Sequence, residues 1–216
     1  MKKRISLLLV CVLLCLSFAA CGGDGEYTQY DGYTMISDPS IVEYYLYVPD
    51  YWVLDSATGM TSAYVSATDR SNVSVTTYEG TSYQEAAMTA AEAEGADWAA
   101  MDNAERIRRV LTAFWTAYET DFAKTCGSTL SYVKKADGGE YKAVDGLLGG
   151  RKSLAYEYDV TFLNLPYRVT QVLAAYGDRI YLFTFMGPTA VGEGEDYYSR
   201  HTAELADMLK IFAFQE

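Results

Sequence analysis

Ile180, Tyr181, Leu182, Phe183, Thr184, Phe185 and Met186 form a run in which both alternating sets of side chains are mainly apolar. Successive side chains of a strand point to opposite faces, so such a run has to be covered on both sides. It predicts a central strand in a sheet that carries other layers above and below. Gly177 and Asp178 separate it from a second strand-like stretch, 167–176, by the two-residue spacing of a tight hairpin. Further strands are predicted at 42–48, ending at Pro49, and at 129–134, 141–144 and 152–162. Residues 60–67 and 72–78 read as a hairpin turning at Asp69, Arg70 and Ser71.

The covering layers are visible as helical periodicity. Ser82 with Glu85 has the spacing of a capping box before an Ala-rich segment that Gly95 can close, and Asp102 with Glu105 repeats it for a second helix. In that second helix Ile107, Val110, Leu111, Phe114, Trp115, Tyr118 and Phe122 follow the three-four spacing of one buried face. A last helix aligns Tyr198, His201, Leu205, Met208, Leu209 and Phe212, with Arg200, Glu204, Asp207 and Lys210 on the other side. Hairpins with helices on both faces make the expected class α+β, an α/β/α sandwich around an antiparallel sheet.

The chain opens with Lys2, Lys3 and Arg4, continues through an apolar run over 5–18, and reaches Ala19 and Ala20 before Cys21. The run is about 14 residues, short of the roughly 20 that span a bilayer, and has the order of a secretory signal. Phe18-Ala19-Ala20-Cys21 resembles the bacterial lipobox, with Phe18 where that pattern usually has Leu. The resemblance implies cleavage before Cys21 and a lipid on its thiol, which would hold the protein on the membrane. The expected organisation is a signal peptide at 1–20, a flexible lipid-anchored tether at 21–38 and one globular domain at 39–216.

Loss of the signal would take three of the 17 basic residues and none of the 29 acidic ones, leaving a net charge near −15 where the full chain has −12. That balance argues against nucleic acid as a partner and against a polybasic grip on anionic lipid. Cys11 and Cys15 would leave with the signal and Cys21 would carry lipid, so Cys126 remains without a disulfide partner.

Three stretches are similar to the PsbP-like superfamily, which includes bacterial lipoproteins: Tyr45 to Trp52, the hairpin through Gln171 and Gly177 to Thr184, and the closing helix into Ile211, Phe212, Ala213 and Phe214. The resemblance implies an antiparallel sheet between helices and a domain that assists other proteins without catalysis. It transfers no metal-binding residue, because His201, the single histidine, matches no such motif.

Each chemical candidate has a plainer alternative. His201 sits in an apolar stripe, where a packed ring fits better than a catalytic base. Glu157 and Asp159 lie two apart on a strand and point to one side, the minimum arrangement for a carboxylate pair, although exposed acids are common in so acidic a chain. Gly192, Glu193, Gly194, Glu195 and Asp196 lack the ligand order of a calcium loop. Cys126 has no basic neighbour to activate it. Tyr51 and Trp52 suit either a recognition surface or a core. No nucleophile elbow or phosphate loop occurs. The expectation is a non-catalytic interaction module of an envelope complex with no cofactor, no metal and an envelope protein as partner. The alternatives are a small-molecule or sugar-binding lipoprotein and, third, a scattered-site hydrolase.

Overall fold

The computed structural model describes residues 28–55, 61–134, 143–190 and 194–215. The signal segment 1–20 and Cys21 lie outside these. In chain order the elements are β1 (Tyr33–Met35), β2 (Tyr44–Tyr45), β3 (Tyr47–Pro49), β4 (Val53–Leu54), β5 (Thr61–Tyr64), β6 (Asn72–Glu79), α1 (Thr81–Ala93), α2 (Asn103–Cys126), β7 (Ser131–Lys134), β8 (Ala143–Leu148), β9 (Arg151–Phe162), β10 (Leu165–Tyr176), β11 (Arg179–Pro188), α3 (Tyr197–Arg200), α4 (Thr202–Ile211) and β12 (Ala213–Phe214). The fold is α+β. An eight-stranded antiparallel sheet has the order β4-β5-β6-β11-β10-β9-β7, and β8 pairs with β9.

β11 lies between β6 and β10, as its two apolar faces require. Ile180 and Leu182 pack with Leu111, Phe114 and Trp115 of α2, whereas Tyr181, Phe183 and Phe185 pack with Tyr198, Leu205 and Met208 of α3 and α4. Each such fully buried side chain contributes about 1.5–3 kcal/mol to folding. The α2 stripe meets β9 through Trp115, whose ring stacks on Tyr156 at 3.6 Å between centroids. Asp102 caps α2 through Glu105 N at 2.8 Å, and Gly127, with φ of 63°, closes it. Tyr176 and Arg179 face each other across the two-residue Gly177-Asp178 turn.

Four expectations need correction. Residues 42–48 do not form one strand of the main sheet. They divide into β2, paired with β12, and β3, paired with β1, because Leu46 N and O are taken by Ser37 Oγ and Ile36 N. Pairing of Tyr33 with Pro49 also brings part of the presumed tether, from Asp31, into the domain. The Ser82 cap is not made: α1 starts after Gly80, whose N–H donates to Asp178 O at 2.8 Å. A Cβ on Gly80 would lie 2.7 Å from that oxygen, so docking against the β10–β11 turn sets the start of α1. Finally, the last helix breaks at His201, with φ −105° and ψ 12°, into α3 and α4.

Candidate functional site

The break at His201 marks a polar cluster built from distant parts of the chain. Asp196 starts α3 by accepting from Ser199 N at 2.9 Å, and one turn later His201 N donates to Tyr198 O while His201 O accepts from Leu205 N. This places the imidazole inward, 4% exposed, against the edge of Trp52 at 5.9 Å between centroids. Its Nε2 is 2.9 Å from Asp69 Oδ2 and its Nδ1 is 2.8 Å from Glu204 Oε2. Asp69 is fixed in the β5–β6 turn, where its N–H donates to Ser66 Oγ and its Oδ1 accepts from Ser71 N. The Tyr51 hydroxyl donates to the other oxygen of Glu204.

A neutral imidazole has one N–H, so a ring facing a carboxylate at both nitrogens has to share protons with its partners. Burial of Asp69 opposes its charge, but hydrogen bonds from Ser71 and His201 outweigh it and hold the carboxyl below its ordinary range. Tyr51 is pushed up to about 12 by burial of its hydroxyl end and by the Glu204 hydrogen bond. Both ring nitrogens of His201 are spent on fixed partners, leaving no free lone pair for a substrate. The cluster fastens the α3–α4 corner to the β5–β6 turn and to the segment after β3. Among the described residues no three His, Cys, Asp or Glu side chains are grouped to hold a metal ion.

The remaining candidates are distributed over the fold. Asp159 and Glu157 share one side of β9, as their spacing requires, but Asp159 takes two hydrogen bonds from Arg168, at 2.8 and 3.0 Å. Arg168 is its cross-strand partner and Thr170 is that of Glu157. Cys126 ends α2 half-buried, and burial pushes its thiol up, away from reactivity. Gly192 and Glu193 lie outside the described residues. Glu195 accepts from the Tyr197 hydroxyl and Asp196 is the α3 cap. Tyr51 is 54% exposed whereas Trp52 is 6% exposed, so the aromatic pair splits between surface and core.

The other distinctive surface is apolar. Ile41 and Leu54, 77% and 54% exposed, border a groove of about 600 Å³ beside the short edge strand β4, with Ile36, Val42 and Tyr44 in its wall. Val53, on the other side of β4, is 45% exposed. Large apolar side chains grouped at a sheet edge are a feature of interaction surfaces. The sequence singled out Tyr51 and Trp52 but not this trio. Leu54 and Ile41 are 13 positions apart on segments with no shared period, and only folding brings them to one groove.

No protein-family model and no curated protein matches the chain. Solved structures do resemble it. One from Bacteroides thetaiotaomicron has 12% identity and a TM-score of 0.44, matching 87% of this chain and 50% of its own, so the chain spans half of that protein. The Ran-binding protein Mog1p of Saccharomyces cerevisiae has 10% identity and a TM-score of 0.48, matching 84% of this chain and 95% of its own. LpqN of Mycobacterium tuberculosis, involved in cell envelope biogenesis, has 11% identity and a TM-score of 0.34, matching 90% of this chain and 87% of its own. At such identities and scores these likenesses carry no inference about activity.

Proposed function

We propose that this chain is an extracytoplasmic lipoprotein, anchored through lipid on Cys21, whose PsbP-like domain binds another protein of the envelope as a non-catalytic accessory module. The anchoring half rests on the order Lys2-Lys3-Arg4, apolar run, Ala19-Ala20-Cys21. The observation that carries the binding half is the exposed apolar edge at Ile41, Val53 and Leu54. A net charge of −12 directs it away from nucleic acid.

Crosslinking in native membranes followed by recovery of the tagged protein tests both halves. One protein recovered in near-equal amount with the anchored form, and lost with Cys21→Ser or with Ile41→Asp/Leu54→Asp, is the expected result. Recovery that ignores both changes would sink the reading.

A further inference from the structure

A cavity of about 430 Å³ lies where α1, α2 and the β10–β11 turn meet. That size is within the range of small-molecule sites. Arg106 of α2, Arg151 of β9 and Arg179 of β11 all line it, against one carboxylate, Asp178, whose side chain is 80% exposed. Asp178 pairs with Arg179 at 4.0 Å, and Arg179 also acts on the Tyr181 hydroxyl. Neither Arg106 nor Arg151 has a carboxylate at ion-pair distance among the described residues. Arg151 instead lies 4.6 Å over the Tyr176 ring. The Nε of Arg106 is buried and has no hydrogen-bond partner.

A chain with 29 acidic and 17 basic residues has carboxylates in excess, so two arginines, Arg106 and Arg151, lining one cavity without a carboxylate partner among the described residues is a departure that needs a cause. A buried guanidinium N–H without an acceptor is costly, and a turn of the Arg106 side chain toward an anion in the cavity would satisfy it. The surroundings add donors: α1 begins at the cavity wall with Thr81 and Gln84, and no side chain caps its N-terminus. Ile107, Val110 and Ile180 supply an apolar wall, with Trp98 beside them.

We propose that this cavity binds a small soluble organic anion, its phosphate or carboxylate group held by Arg106 and Arg151 and its apolar part set against Ile107, Val110 and Ile180. Arg179 lines both this cavity and the groove at Ile41 and Leu54, but the proposed anion contacts are those of Arg106 and Arg151, so either site can fail without the other.

Calorimetric and thermal-shift titrations of the anchored protein in detergent, with phenyl phosphate and with benzoate at low ionic strength, test it. At least one compound is expected to bind saturably below about 10 mM, with affinity falling tenfold or more in Arg106→Gln and in Arg151→Gln. Arg200→Gln, equal in charge change but outside the cavity, is expected to bind as the parent does. Unliganded melting temperatures identify any variant that fails to fold, and Arg151→Gln then serves alone. No saturable binding of either compound, or equal loss in Arg200→Gln, would overturn the proposal. So would sedimentation of the Cys21→Ser protein with phosphatidylglycerol vesicles that Arg106→Gln abolishes, in the absence of soluble-anion binding, since the anion would then be a lipid headgroup.

Discussion

Nε2 of His201 lies 2.9 Å from Oδ2 of Asp69, and the two residues are 132 positions apart. The contact joins the corner between α3 and α4 to the turn between β5 and β6, with the ring 6% and the carboxylate 9% exposed at their side chains. Removing one member of so buried a pair leaves the other uncompensated. Asp69→Ala is expected to lower stability by about 3 kcal/mol, read from denaturant midpoints at neutral pH. In a double-mutant cycle with His201→Ala the two losses should fall well short of adding. Additive losses would show that the contact contributes nothing.

The same pair sets an acid limit. Asp69 is held below the ordinary carboxyl value of 3.8, so it gives up protons more readily folded than unfolded. Its contribution is complete above pH 3.8 and is lost as pH falls through the lower folded value. Asp69→Asn should flatten this part of the acid denaturation curve, and an unchanged slope below pH 4 would refute it.

Two tyrosines set an alkaline limit of opposite sign. Tyr33, through burial and its hydrogen bond to Asp207, and Tyr51, through burial and Glu204, are both raised from 10.0 to about 12. The unfolded chain therefore loses these protons first, and stability present below pH 10 is lost as pH rises to about 12. Tyr33→Phe/Tyr51→Phe should lose less stability over that interval than the parent. Tyr118 and Tyr158, raised further by burial, leave a residual slope.

Leu163 and Asn164 form the β9–β10 turn with φ of 49° and 63°, and Leu163 is 74% exposed. A branched side chain in the left-handed region is strained, whereas Asn and Gly adopt it readily. Leu163→Gly is expected to raise stability by about 1 kcal/mol, measured by thermal or chemical unfolding. Any loss would mean that Leu163 makes a contact that outweighs the strain.

Gln171 is fully buried under α2. It accepts from the Tyr158 hydroxyl at 2.6 Å and donates to Tyr118 Oη at 2.9 Å and Thr184 Oγ1 at 3.1 Å. Gln171→Leu removes one member and strands three hydroxyls, at an expected cost of about 2 kcal/mol. Adding Tyr158→Phe should recover part of it.

Local pattern made much of the fold legible. The double-sided run at 180–186 foretold a central strand, Gly177-Asp178 a tight hairpin, and the three-four stripe of α2 its buried face. The Ser82 cap and the single strand at 42–48 misled for one reason: each is a local preference outvoted by a distant partner, Asp178 O for Gly80 and Ser37 for Leu46. Glu204, which periodicity turns to the surface, reaches sideways to His201 and Tyr51.

The sequence by itself determined the alternation of buried and exposed side chains, the signal-like N-terminus ending at Cys21 and the acidic balance, because these depend on neighbours a few positions apart. Only the tertiary structure decided that His201 meets Asp69, that Ile41 meets Leu54, and that Arg106, Arg151 and Arg179 line one cavity. Such meetings depend on how helices and strands dock, and no periodicity within one segment encodes the identity of a residue a hundred positions away.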